Sequence, residues 1–128
     1  MRYTFPKSQK LVSLKAIDST FAAGNSLFCY PIKLLYTPNT DSSVNQALFS
    51  VPKRNFKRAN KRNTLKRRMR EAYRLNKHAL DDVSRETEMS YNLVLIYVAK
   101  EEESYKRIAD SMVTLLKRLG AATAPNKQ

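Results

Sequence analysis

The chain has few of the residue types on which many protein catalysts depend. Its 128 residues include one cysteine, one histidine, two glycines and no tryptophan. A single cysteine, Cys29, excludes an intrachain disulfide, and a reducing cytoplasm is its natural setting. With one histidine, His78, neither a histidine pair nor a zinc ligand set can be assembled. Two glycines exclude a glycine-rich phosphate loop.

Long apolar runs are also missing. No stretch approaches the length of a transmembrane helix, and the N-terminus has no apolar signal-peptide core. The apolar side of the most basic segment lacks the bulky, aromatic-rich stripe with which helices bind membrane surfaces. We therefore expect no membrane partner.

Acidic residues are scarce, and the positive charge is concentrated in one segment. The chain has 24 lysines and arginines against 11 acidic residues, a net charge of +13. Between Lys53 and Lys77 there are twelve basic residues and one acidic residue, Glu71. A hydrophobic content of 42% indicates a folded protein, and a length of 128 residues indicates one domain. The localised charge favours a docking surface for a polyanion, with RNA or DNA first.

The basic segment also has helical order. At roughly 100° per residue, with Arg62 as zero, Leu65, Met69 and Ala72 fall between about 280° and 340°. A different face, between about 40° and 140°, carries Lys66, Lys77, Arg70, Arg74 and Arg67. One face is therefore expected to pack and another to present cations. A solvated helix face would usually mix both signs, and Glu71 alone cannot neutralise its basic neighbours.

The remaining pattern predicts an α+β sandwich with helices packed on a small sheet. The predicted order is helix, strands, helix, strand, helix, and Ser13 and Gly24 bound the first helix. The basic helix and its two flanking strands have the form of a strand–helix–strand crossover, for which a right-handed connection is usual. We predict one domain over residues 1–120 and a disordered tail over 121–128. The expected elements are a polar lead-in over 1–12, helix 14–24, strand 30–37, a turn over 39–45, strand 47–51, helix 60–80, strand 93–98 within 91–99, and helix 104–119 ending at Gly120.

Catalytic groups do not cluster in the sequence. Asp81 and Asp82 are adjacent, which on a helix points them about 100° apart and makes a poor two-metal site. A stand-alone nuclease is therefore disfavoured. A DNA-binding protein whose basic helix enters the major groove is also weakened, because arginines at nearly every basic-face position suit phosphates better than base edges. A ribosome-associated or assembly RNA-binding protein remains the principal alternative.

Two stretches resemble the signature of the bacterial ribonuclease P protein component. They are Ser50 to Arg54 (SVPKR) and Lys61 to Arg74 (KRNTLKRRMREAYR). The family has a strand ending in a Ser-Val-x-Lys-Lys-like segment, then a helix that opens with Arg-Asn-Arg and runs to Arg-Glu-Ala-Phe or Tyr. The first helix, with Phe21 three residues before Gly24, and the last strand and helix follow in the family's order. The resemblance covers roughly residues 10–119.

Three positions depart from the family pattern. Thr64 replaces the third residue of Arg-Asn-Arg. The connection 55–60 is about one residue longer and lacks a glycine, although Lys57 and Arg58 lie within it. Ile17 stands where the family often has phenylalanine.

The resemblance implies a function that the residues alone do not. Members form a ribonucleoprotein endoribonuclease with a large catalytic RNA and assist hydrolytic removal of the 5′ leader from precursor tRNA. The RNA is implied to be catalytic and to hold most of the magnesium, with no organic cofactor and no obligate protein partner. The implied fold is ribosomal protein S5 domain 2-like, a small mixed β-sheet with helices in α-β-β-(β)-α-β-α order and a left-handed βαβ crossover.

The resemblance also assigns candidate RNA contacts, and no catalytic or metal-binding residue. Aromatic residues around the first helix and strand, among them Phe21, Phe28, Tyr30 and Tyr36, could stack on bases if exposed. The predicted contacts with the precursor-tRNA leader, which the family receives between its first helix and the sheet, are Ile17, Phe21, Lys33 and Tyr36. The predicted contacts with the catalytic RNA are Arg62, Asn63, Lys66, Arg67 and Arg70, with Lys53, Arg54, Lys57, Arg58, Lys61 and Arg74 as flanking electrostatic support.

Overall fold

The strand patterns of the sequence form one mixed β-sheet. The computed structural model describes residues 5–39 and 43–123, and in these ranges the strands are β1 (Asn25–Cys29), β2 (Ile32–Pro38), β3 (Gln46–Ser50) and β4 (Tyr91–Tyr97). Their order in the sheet is β1-β2-β4-β3. β2 is antiparallel to both β1 and β4, and β3 is parallel to β4. Because β3 and β4 are parallel neighbours, the predicted strand–helix–strand crossover is confirmed.

The helices of the described residues agree with the predicted α+β order. They are α1 (Leu14–Ala23), α2 (Ala59–Asn76), α3 (His78–Thr87) and α4 (Tyr105–Thr123), with a short 3₁₀ turn at Lys7–Gln9. Ser13 caps α1, since its hydroxyl oxygen accepts a hydrogen bond from the Ala16 N–H. Ser104 does the same at α4 for the Arg107 N–H. The predicted cap at Ser13 is therefore confirmed, whereas Ser104, predicted as the first residue of the last helix, precedes and caps it.

The two faces of the sheet are covered unequally. The larger core joins alternate residues of all four strands to buried residues of α2, α3 and α4. A smaller core on the opposite face, formed by Leu11, Leu35 and Val94, packs against Ala16 and Ile17 of α1. Because α1 has only ten residues and contacts β2 and β4, part of this second face is left open.

A hairpin replaces the single first strand predicted over residues 30–37. β1 and β2 are joined by a turn at Tyr30 and Pro31. β1 was missed because its two inward residues, Leu27 and Cys29, are only partly buried and alternate with Ser26 and Phe28. In the sequence Leu27, Phe28 and Cys29 are consecutive apolar residues, so the segment lacks the alternation of apolar and polar residues that indicates a strand.

The predicted helix over residues 60–80 is two helices. α2 ends at Asn76 and α3 begins at His78. The acidic pair Asp81 and Asp82 lies near the start of α3, with Asp81 in its first turn, where a negative charge suits the helix dipole. The sequence pattern missed the break because no proline or glycine marks it.

The last helix is longer than predicted. α4 continues through Gly120 to Thr123, so residues 121–123 of the predicted tail are helical. A Cβ at Gly120 would meet only Val83 Cγ2, at 3.9 Å, and the glycine does not adopt positive φ. Residues 124–128, like residues 1–4 of the lead-in and 40–42 of the predicted turn, lie outside the described residues.

Two leucines of α2 provide a matched test of this packing. Leu65 is fully buried, whereas Leu75 is 37% exposed. We expect Leu65→Ala to lower the free energy of unfolding by about 2–5 kcal/mol, because it removes buried methyl groups and leaves a cavity. Leu75→Ala should change it by less than about 1 kcal/mol. Urea denaturation measures both values, and equal losses would contradict the placement of α2.

Candidate nucleic-acid interface

The basic helix is held in one orientation by its apolar face. Leu65, Met69, Ala72 and Tyr73 of α2 are buried, as the helical pattern predicted for the first three. The Tyr73 ring makes an edge contact with Phe49, with ring centroids 5.6 Å apart, and burial raises the pKa of its hydroxyl. This packing determines which side chains of α2 face outward.

Three cations on the outward side of α2 have no acidic partner among residues 5–39 and 43–123. The side chains of Lys66, Arg67 and Arg70 make no hydrogen bond or ion pair with any residue in 5–39 or 43–123. Arg67 and Arg70 are exposed, Lys66 is half-buried, and the neutral Asn63 is exposed beside them. We call Asn63, Lys66, Arg67 and Arg70 the free face. It presents three positive charges within about one and a half helical turns.

The connection before α2 extends the exposed positive charge. Lys53, Arg54, Lys57 and Arg58 are all exposed and make no ion pair within the described part of the chain. Arg62 holds this connection in place: its Nη1 donates hydrogen bonds to the carbonyl oxygens of residues 56 and 57, at 2.7 and 2.9 Å. Arg62, predicted to contact RNA, therefore uses one guanidinium nitrogen to shape the protein.

Other cations of the segment are paired with carboxylates. Lys61 Nζ lies 2.6 Å from a carboxylate oxygen of Glu102, and Arg68 Nη1 lies 3.0 Å from the other. Arg74 pairs with Glu71 at 2.6 Å. The hydrogen bond from Lys61 lowers the pKa of Glu102, and the one from Arg74 lowers the pKa of Glu71. Lys61 and Arg74, predicted as electrostatic support, are thus partly neutralised within the fold.

Lys77 does not belong to the outward row in which the helical wheel placed it. Its side chain is buried, and its Nζ lies 3.2 Å from Asp81 Oδ2. The wheel prediction was wrong because α2 ends one residue earlier, and Lys77 turns towards α3.

The structure divides the predicted leader contacts between the two faces of the sheet. Ile17 packs into the smaller core, Lys33 is exposed on the α1 side of β2, and Phe21 on α1 is 51% exposed. Tyr36 lies on the opposite face, where its ring meets that of Tyr91 at 6.0 Å. Because side chains alternate along a strand, residues 33 and 36 point to opposite sides. The four residues therefore do not form one surface.

Phe28, which was not among the predicted leader contacts, lies on the open part of the α1 face. It pairs in register with Lys33, which pairs in turn with Ile96 of β4. Phe28 is 53% exposed. Phe28, Lys33 and Ile96 form a row across three strands, which we call the cross-strand row. The sequence has no clear signal for this row, because the apolar residues 27–29 do not alternate with polar ones.

The described residues do not fit a metal site or a membrane span. In residues 5–39 and 43–123, no three His, Cys, Asp or Glu side chains lie together as ligands for a metal ion. Of the helices in the same ranges, none has the length and apolar character needed to cross a bilayer.

Comparisons with known proteins agree with the charge pattern and the fold. A family model described as Ribonuclease P matches residues 5–120. The ribonuclease P protein components of two Porphyromonas gingivalis strains, W83 and ATCC 33277, are 35% and 34% identical over 115 residues, covering 88% of this chain and 84% of each relative.

Solved structures share the fold at lower identity. The ribonuclease P protein from Staphylococcus aureus superposes with a TM-score of 0.70 at 19% identity, over 88% of this chain and 96% of that one. The protein from Thermotoga maritima gives a TM-score of 0.69 at 24% identity, over 85% and 96%. Since the family model spans nearly the whole described chain, this protein belongs to the ribonuclease P protein family, which functions in the 5′ processing of tRNA.

Proposed function

We propose that this protein binds the catalytic RNA of ribonuclease P through the free face of α2 and the basic connection before it. The observation that carries the proposal is that Lys66, Arg67 and Arg70 have no acidic partner among the described residues, although the helix that bears them is fixed in the core. Three cations held together without counter-charge favour an anionic partner. Family membership implies that this partner is an RNA subunit.

The chemistry of the free face favours the RNA backbone over base edges. Arginine donates two parallel hydrogen bonds to phosphate oxygens, and lysine adds a compact charge. Asn63 can bond a phosphate or a 2′-hydroxyl from the same surface. The rigid placement of α2 lowers the entropic cost of binding, since the helix need not be ordered when RNA docks.

The single-stranded leader of precursor tRNA is proposed to lie on the open α1 face. The cross-strand row offers the exposed ring of Phe28 for stacking on a base and the Lys33 ammonium for a phosphate. Phe21 on α1 adds a second half-exposed aromatic ring. Tyr36 is not part of this proposal, because it lies in the larger core.

The protein is proposed to assist a reaction that the RNA subunit catalyses. Its described residues offer no cluster of acidic or histidine ligands, so they do not fit a protein-held magnesium site. We assign magnesium mainly to the RNA and no organic cofactor to the protein. This chain supplies positive charge on two RNA-binding surfaces of the protein. That charge lowers the electrostatic repulsion between the catalytic RNA and its substrate. The proposed compartment is the cytoplasm, without an obligate protein partner.

Removing two charges from the free face tests the interface. We expect Arg67→Ala with Arg70→Ala to flatten the slope of log affinity against log salt for the catalytic RNA by roughly 1.4–1.8 units, because each phosphate contact contributes about 0.7–0.9. Filter binding over a series of salt concentrations measures the slope. Alanine favours helix, so folding should persist.

A control for that experiment removes the same charge elsewhere. Lys106 and Lys117 are exposed on α4, and their double alanine variant should leave the slope nearly unchanged. If both double variants flatten the slope equally, the effect is one of net charge and the free face is not the interface.

Reconstitution tests the function as a whole. Purified protein together with the catalytic RNA should cleave precursor tRNA at a low magnesium concentration at which the RNA alone is much slower, because the protein replaces part of the cationic screening. The protein alone should leave the substrate intact. Cleavage by the protein alone, or an RNA activity that the protein does not change, would contradict the proposal.

The leader surface has its own test in the reconstituted complex. Phe28→Ala should weaken binding of precursor tRNA by about 5- to 150-fold, since stacking on an aromatic ring contributes about 1–3 kcal/mol per base. Binding of mature tRNA, which lacks the leader, should not change. Tyr105→Ala, which removes an exposed ring on α4, serves as the matched control. Equal losses for precursor and mature tRNA would remove Phe28 from the leader surface.

A further inference from the structure

Two carboxylates lie among the cations of α2: Glu71 of the helix itself, which pairs with Arg74, and Glu102 of another element. Glu102, in the loop between β4 and α4, accepts the Lys61 ammonium at 2.6 Å on one oxygen and the Arg68 guanidinium at 3.0 Å on the other. Lys61 and Arg68 lie about two turns apart on the same side of α2. A single acidic side chain thus occupies two cations of the most basic segment.

The loop that carries Glu102 is built around a buried tyrosine. The Tyr97 hydroxyl donates to the Glu101 carbonyl oxygen at 2.6 Å and accepts from the Glu103 N–H at 2.8 Å. The Tyr97 side chain is fully buried, and burial raises its pKa to about 12, so the hydroxyl keeps its proton at neutral pH. Glu102 therefore lies between two backbone groups, the Glu101 carbonyl and the Glu103 N–H, that are both hydrogen-bonded to Tyr97.

The loop is also tied directly to α2. Arg68 Nη1 donates to the Glu103 carbonyl oxygen at 2.9 Å, in addition to its contact with Glu102. The carboxylate of Glu103 has other partners, since it accepts from the Tyr30 hydroxyl at 3.0 Å and lies 4.0 Å from Arg107 Nη1. Of the three consecutive glutamates, Glu102 is the one whose carboxylate pairs with α2.

The paired cations lie on the far flank from the free face. On the helical wheel Lys61 and Arg68 fall at about 240–260°, whereas Lys66, Arg70 and Arg67 fall at about 40–140°. Between these two sectors fall Asn60, Glu71, Thr64 and Leu75. Without Glu102, α2 would therefore present a second, separate cationic flank at Lys61 and Arg68. An RNA strand could then lie along either flank.

We propose that Glu102 sets the boundary of the RNA-binding surface: it occupies Lys61 and Arg68, excludes a phosphate from that flank, and so restricts RNA to the free face. The proposal rests on the proposed function, because it presumes RNA on α2. A carboxylate and a phosphate use the same donors of lysine and arginine, so the two compete for one site. In this proposal, specificity depends on weakening RNA binding at the flank of Lys61 and Arg68 as much as on stabilising it at the free face.

The test is Glu102→Gln, compared with Glu101→Gln. Glu101 is exposed and makes no ion pair with α2 in the described part of the chain, so the second variant makes the same change in net charge next to the site. Binding is measured to the catalytic RNA and to an unrelated RNA of equal length over a salt series. Urea denaturation of both variants verifies that the fold is kept.

We expect Glu102→Gln to raise the affinity for unrelated RNA several-fold and to steepen its salt slope by about 0.7–0.9, as one new phosphate contact would. The affinity for the catalytic RNA should rise less, so that discrimination between the two RNAs falls. Adding Lys61→Ala to Glu102→Gln should abolish the gain in slope. Glu101→Gln should leave both the slope and the discrimination as they are.

Two outcomes would overturn the proposal. One is equal behaviour of Glu102→Gln and Glu101→Gln, which would reduce the effect to net charge. The other is an unchanged salt slope for Glu102→Gln while Arg67→Ala with Arg70→Ala still flattens the slope for the catalytic RNA. The second result would leave the proposed function intact, whereas a failure of both variants to alter the slope would count against the α2 interface itself.

Discussion

The burial of one face of α2 is the constraint on which the rest of the site depends. Leu65, Met69 and Tyr73 pack into the larger core, and the rotation of the helix about its axis is thereby set. Charged side chains alone could not do this, because exposed ion pairs contribute little and are screened by salt. The apolar face is thus what turns a basic segment into an oriented surface.

Basic residues of one segment have different uses once the chain is folded. Arg62 orders the connection before α2, Lys77 is buried against Asp81, and Lys61 and Arg68 share Glu102. The cations of the free face are ones that make no such contact with other described residues of the protein. The positive charge of the segment is therefore larger than the charge that RNA can contact. Three carboxylates, those of Glu71, Asp81 and Glu102, neutralise part of it.

The unequal coverage of the sheet separates two potential RNA surfaces. Three helices close one face, while the short α1 leaves the cross-strand row open on the other. The free face of α2 and this row lie on different elements, so the proposed contacts with the catalytic RNA and with the leader use separate surfaces. This arrangement agrees with membership of the ribonuclease P protein family, which implies an RNA subunit as partner.

The amino-acid sequence by itself determined the concentration of charge, the amphipathic character of α2, the buried strand β4 and the family resemblance. These features are local, because periodicity and motif spacing are read over neighbouring residues. The tertiary structure decided which cations are free, because Glu102 reaches Lys61 across 41 positions of the chain and Arg68 across 34. It also decided that Lys33 aligns with Ile96 and that the side of β2 bearing Tyr36 faces the larger core, since the register of β2 against β4 depends on pairing between distant segments. Contacts of that range leave no periodic signal in a single sequence.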